Sequence, residues 1–245
     1  MPRHAQSTDA DGFPENGASR RLLGENVAAA LQRAIITGEY KPGQRLVERE
    51  LSEQFGVSSI PVREALQELE NRGLVTRRPN HGCSVINLTT DEVEKLCALR
   101  RVLEPKVTEW AAERITPDET EELEQQLAKI AQAADAEDLS AFFLEDLVFH
   151  RRIWAISRNP YAARALESAL GSLFASGLIR SLESDGPDLR WEVKKHERLL
   201  EALRQHDGRQ AARALLEIAQ GFEIHAFGSL TDAERASNGS RPPAG

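Results

Sequence analysis

At 245 residues, with 40% hydrophobic and 29% charged side chains, the chain is long enough for two globular domains, each with its own core. Its longest apolar runs, such as LVF and VAAAL, fall far short of the roughly 18 residues of a membrane span. A net charge of −8 excludes a protein that coats nucleic acid indiscriminately, yet residues 20–88 carry ten Lys/Arg against eight Asp/Glu, so the front third is locally basic.

The opening stretch MPRHAQSTDADGFPENGAS has no hydrophobic core region of a signal peptide, and a cytoplasmic protein with no membrane partner is expected. Residues 1–19 and 231–245 are rich in Gly, Ser, Pro, Asn and Asp without periodicity and are expected to be disordered tails. Cys83 and Cys97 have no CxxC partner and read as two isolated structural thiols.

Within residues 20–88 the pattern is helix, helix, helix and two short strands. Val27, Leu31, Ile35 and Ile36 form a stripe that stops at Gly38, and KPGQRL makes a turn. Leu51 and Phe55 mark a short second helix that Gly56 can end in a left-handed cap. The third helix starts where Ser58 or Ser59 can cap it, with Pro61 in the first turn, where a missing donor costs nothing. Val62, Ala65, Leu66 and Leu69 supply its buried face, Ser59, Arg63 and Gln67 point elsewhere, and Gly73 stops it. LVTRRPNHGCSVINL then pairs two β-prone runs across PNHG, with Arg77 and Arg78 before the tip. Two helices across a glycine turn, followed by a basic hairpin, make a winged helix-turn-helix that can seat a rigid rod in a major groove; a small α+β packing module is the alternative.

From Thr89 the chain reads as helix throughout. Capping boxes at Thr89 with Glu92 and at Thr116 with Glu119, the second with Pro117 at the first helical position, bound one helix of about 25 residues. Its apolar stripe is Leu96, Leu99, Leu103, Val107 and Trp110, and Arg100 falls inside it. An unpaired buried charge costs several kcal/mol, so Arg100 must snorkel to water, pair with a carboxylate or face a cavity that receives an anion. A helix over about residues 139–157 carries Phe142, Phe143, Leu147, Phe149, Ile153 and Trp154, with Asp146 and His150 one turn apart on that face. Further on, Val193, His196, Leu200 and Leu203 repeat the pattern with another histidine. Such an Asp and two imidazoles either hold a divalent metal or are satisfied core groups. No nucleophile, catalytic carboxylate pair or phosphate loop is evident, so an enzyme is not expected; a metal-dependent helical-bundle enzyme and a structural adaptor are the rivals.

The run GQRLVERELSEQFGVSSIPVREALQELENRGLV, with HG in the hairpin, resembles the DNA-binding domain of the GntR family of bacterial transcription regulators over residues 22–87. That resemblance implies DNA contacts from Arg49, Ser58, Ser59, Ile60 and Arg63, and a wing tip of His81 and Gly82 reaching the minor groove. Ser59 stands where the family usually has Arg, and Ile60 where Thr is frequent. LRRVLEP, EDLVFHRRIWAISRNP and KKHERLLEALRQHDGRQAARALL resemble the FCD effector domain of the FadR-type branch over about residues 90–227. This implies a metal set of Asp146, His150 and His196, for an ion of Zn, Ni or Mn type, whose usual fourth member is a histidine about 22 residues after His196. Ile218 occupies that position, and His225 lies about two turns beyond it. His4, His206 and His225 carry no functional expectation.

The fold expected is mainly α: a winged helix-turn-helix in residues 20–88, then an all-α bundle of about six helices in residues 89–230 for effector binding and dimerisation. The function expected is a homodimeric regulator that binds a double-stranded DNA operator and senses a small carboxylate metabolite at Arg100, with or without the metal.

Overall fold

The computed structural model describes residues 15–78, 82–182 and 187–238. Helix α1 (Glu15–Ile36) buries Val27, Leu31 and Ile35 and packs on α3 (Ser59–Asn71), whose inward face is Val62, Ala65, Leu66 and Leu69. Between them α2 (Glu48–Phe55) ends at Gly56, whose φ of 64° places it in the left-handed region as its stop requires. Ser58 occupies the N-cap position of α3, but neither it nor Ser59 closes the expected hydroxyl cap: the Ser58 side chain makes no capping hydrogen bond. Pro61 and the buried apolar face hold that helix start instead.

Strands β1 (Arg45–Leu46), β2 (Val75–Arg78) and β3 (Gly82–Val85) form an antiparallel sheet in the order β1-β3-β2. The hairpin is the expected wing, with Val75 opposite Val85 and Arg78 opposite Gly82. The two-residue strand β1, which pairs Arg45 with Ser84 and Leu46 with Cys83, lies in the segment read from sequence as a turn. Two residues are too few for alternation to show.

Among the described residues six helices make the second domain: α4 (Thr90–Arg114), α5 (Pro117–Asp135), α6 (Leu139–Ile156), α7 (Pro160–Ser181), α8 (Leu189–Arg204) and α9 (Gly208–Asn238). Both expected capping boxes are closed, Thr89 with Glu92 and Thr116 with Glu119. Helix α1 starts inside the stretch assigned to the N-terminal tail, and α9 runs past residue 230 into the assigned C-terminal tail. No proline interrupts 15–36 or 208–238, so no backbone break stops either helix at the expected boundary. Among the described residues no helix is long and apolar enough to cross a membrane.

The stripe expected on α4 is rotated from the face that is buried. Leu99 is 42% exposed and Leu96, Leu103 and Trp110 are half-buried, while Val93, Cys97, Arg100, Glu104, Val107, Thr108 and Ala111 turn inward. The inward face of this central helix carries groups that pair with one another, so apolar spacing alone points to the wrong side. The two domains share one apolar cluster, which runs from Leu31, Leu69 and Leu74 of the head through Val93, Leu166 and Leu170 to Phe174. At the seam Gly73, with φ 77°, lies against the backbone of Gly171 in α7: a Cβ on Gly73 would stand 2.1 Å from the Gly171 carbonyl carbon.

Candidate functional site

The head presents one polar face. Arg49 on α2, and Ser58, Ser59, Ile60 and Arg63 at the start of α3, are all exposed, because the opposite sides of both helices are consumed by the core. Arg63 donates from Nε to Glu48 Oε2 at 2.6 Å, and Arg49 from Nη1 to Glu53 Oε1 at 2.7 Å. Ile60 is 41% exposed, an aliphatic group on an otherwise polar surface. Gly82 opens β3 with φ 77°, with the Arg45 guanidinium beside it; His81 lies outside the described residues. Arg45 was not anticipated, since a turn residue offered no pattern to mark it.

Inside the bundle four ionisable side chains from three helices meet. Arg100 (α4), Asp146 and His150 (α6) and His196 (α8) are 1%, 5%, 0% and 1% exposed. They are held there by the flanking apolar groups: Phe142, Phe149 and Ile153 on α6, and Leu199, Leu200 and Leu203 on α8. One donor atom from each of Asp146, His150 and His196 lies within 4.8 Å of the others. His196 Nε2 is 2.7 Å from Asp146 Oδ1, and His150 Nε2 is 3.5 Å from the same oxygen. His196 Nδ1 donates to the Glu192 carbonyl at 2.8 Å, which aims Nε2 at the aspartate.

A fifth member, Glu104, was missed by sequence reasoning. Its Oε2 accepts from Arg100 Nε at 2.7 Å, and its Oε1 receives His150 Nδ1 at 2.7 Å and the Trp154 indole N–H at 3.1 Å. The signal was present: Glu104 lies four residues after Arg100, one turn along the same face, and a buried guanidinium requires a counter-charge. Phe174 and Phe222, whose ring centroids are 5.2 Å apart, form one aromatic wall against the guanidinium at 4.9 and 5.2 Å. With Nε taken by Glu104, Arg100 Nη1 and Nη2 have no hydrogen-bond partner among the described residues, and neither has His150 Nε2.

The electrostatics follow from this packing. Burial pushes Glu104 upward, but Arg100 and His150 outweigh it and hold the carboxyl at about 2. Burial likewise raises Asp146, and the two histidines more than reverse it, so its carboxyl lies below the usual range. For His196 burial favours the neutral ring, but Asp146 outweighs this and raises its pKa. Such a cluster can accept an anion at the open fork of Arg100 and a cation among Asp146, His150 and His196. His206, outside the cluster, has φ 55° between α8 and α9 and bonds the Ala112 carbonyl at 2.8 Å, a structural role; His225 is exposed. Burial raises Cys83 to about 11 and Cys97 to about 12, as inert thiols require.

The FCD domain matches residues 95–221, and the bacterial regulatory proteins of the gntR family match residues 23–85. The HTH-type transcriptional regulator McbR of Escherichia coli (strain K12) is 29% identical over 191 residues, covering 78% of this chain and 86% of the relative. The galactonate operon transcriptional repressor of the same strain is 26% identical over 212 residues, covering 78% and 91%. The gluconate operon transcriptional repressor of Bacillus licheniformis is 28% identical over 202 residues, covering 80% and 81%. A solved structure of E. coli McbR/YncC superposes with a TM-score of 0.69 at 27% identity, covering 84% of this chain and 98% of that one. A winged reading head joined to a helical domain with a buried polar centre, matched along both parts, places the chain in the gntR family of bacterial regulatory proteins, as a DNA-binding transcription regulator with an FCD domain.

Proposed function

We propose that the head of this regulator grips a double-stranded operator through Arg49, Ser58, Ser59, Ile60, Arg63 and the wing at His81 and Gly82, and that a small carboxylate bound at Arg100 changes that grip. The observation that carries the sensor half is the group of unsatisfied buried atoms, Arg100 Nη1 and Nη2 and His150 Nε2. An unmet donor away from water costs on the order of 1–3 kcal/mol, more when charged, and a bound ligand would recover it. A guanidinium fork suits the two oxygens of a carboxylate. Two of the relatives are named for the galactonate and gluconate operons, and both compounds are organic acids, which is consistent with this chemistry.

Asp146, His150 and His196 fit a divalent ion of Zn, Ni or Mn type: one carboxylate and two imidazoles from facing helices, within reach of one centre. The ion would supply positive charge for a ligand oxygen. Ile218, at the family's fourth position, is 2% exposed in the apolar core and offers no donor, so three protein ligands leave a position open. A second reading, an anion held by Arg100 alone, has in its favour the direct His196 to Asp146 bond at 2.7 Å, which satisfies both groups without an ion. Elemental analysis of untagged protein purified without chelator separates the two: about one divalent ion per chain supports the metal site, and a stoichiometry near zero leaves Arg100 alone.

Because helix-turn-helix proteins read paired half-sites, the regulator acts as a homodimer in this proposal. The effector works by linkage, shifting operator affinity only by its preference for one arrangement of the heads. Gel shifts on the DNA beside its own gene test the regulatory half. Binding there should weaken steeply with salt, and Arg63→Ala, with its fold retained, should lose about 1–3 kcal/mol if it reads a base. Arg63→Ala binding as tightly as wild type removes that residue from the contact.

A further inference from the structure

We infer that Glu104 is the positioning residue that joins the metal and anion half-sites into one unit, an inference that rests on the metal-and-carboxylate reading above. A carboxylate oxygen can only accept, so the 2.7 Å approach of Glu104 Oε1 to His150 Nδ1 places the proton on Nδ1. In the neutral ring, the form that can ligate an ion, the lone pair of His150 is thereby on Nε2, the atom that faces Asp146 and has no hydrogen-bond partner among the described residues. A ring so held presents one tautomer to an ion and, with a carboxylate behind it, is a stronger ligand than a free imidazole.

The other oxygen of Glu104 does the complementary work. It meets Arg100 at Nε, from the side, rather than across the Nη pair. This leaves the Nη1/Nη2 edge without a hydrogen-bond partner among the described residues, while the adjoining rings of Phe174 and Phe222 pack against the guanidinium. A salt bridge across the Nη pair would have closed the edge that a carboxylate ligand needs. The indole of Trp154 donates to Oε1 as well, fixing the carboxylate in the orientation that serves both partners. Glu104 is 0% exposed and sits between the two half-sites, so it acts on both ligands without touching either. It also neutralises Arg100, so the charge that attracts an incoming carboxylate must come largely from the ion.

Co2+ serves as the probe, because its visible spectrum reports the ligand set and its titration gives an affinity. Wild-type protein is expected to bind one Co2+ per chain. Glu104→Gln, nearly isosteric, should bind it about tenfold more weakly, in the range seen when partners behind metal ligands are removed, with an altered visible band. Trp154→Phe removes only the indole donor and should stay within about threefold of wild type, so general loosening of the core would show as loss in both variants. A Glu104→Gln affinity within fivefold of wild type overturns the inference. Should that variant not fold, the 15N shifts of His150 in wild-type protein decide: a proton on Nδ1 is expected, and a proton on Nε2 overturns it. Wild-type protein that takes up no Co2+ overturns the metal reading itself and this inference with it.

Discussion

The cluster inside the bundle is held in balance residue by residue, and its pH response follows. Glu104 has its carboxyl lowered from 4.5 to about 2, so the unfolded chain takes up the proton first as pH falls. The stability it contributes is therefore complete above about 4.5 and is lost as pH falls toward 2. His196 runs the other way: with its pKa raised above 6.5, its contribution is complete below 6.5 and fades as pH rises through the raised value. Together they place the full contribution of the cluster between those limits. Urea unfolding of wild type and Glu104→Gln at a series of pH values should show a gap that narrows as pH drops from about 5 to 2. A gap that stays constant over that range would remove Glu104 as a charged partner. Arg100, Asp146, His150 and His196 were legible as polar residues in apolar stripes, whereas Glu104 was not, since the spacing of Leu96, Leu99 and Leu103 does not mark the residue one turn after Arg100 as its buried partner.

At the level of elements, caps and breakers were the best guides. Thr89, Thr116, Gly56 and Gly73 stand where the helices start or stop, because each supplies a local group or conformation that needs no tertiary partner. Ser58 has the right position without the hydrogen bond, and β1 was invisible, because its two residues become a strand only by pairing with β3. The seam between domains was also hidden, since no one-dimensional pattern reports that Gly73 and Gly171 touch. It carries a prediction. Gly73→Ala combines a left-handed backbone, which costs an L-residue about 1–2 kcal/mol, with a Cβ driven into the Gly171 backbone. Gly171→Ala meets nothing nearer than 3.8 Å from its new Cβ in the head, where contact would be ordinary. Thermal unfolding should show Gly73→Ala destabilised by more than about 1 kcal/mol and Gly171→Ala close to wild type; equal behaviour of the two would mean that the seam is loose.

Across the whole molecule, the reading head and the buried cluster are connected by packed matter. The apolar cluster that includes Leu31 of α1 and Leu69 of α3 also takes in Phe174, whose ring lies 4.9 Å from the Arg100 guanidinium and 5.3 Å from His150. In the proposed scheme a ligand that moved Arg100 would press on α7, the helix that carries both Phe174 and the Gly171 seam. Everything in this scheme requires that the open fork of Arg100 take up a carboxylate. The most direct measurement is thermal unfolding of wild type and Arg100→Lys, which keeps the charge beside Glu104 but lacks the fork, across a panel of small organic acids with and without a divalent ion. The account predicts an acid that raises the wild-type midpoint and leaves Arg100→Lys unmoved; a panel that moves neither protein, or both equally, contradicts it.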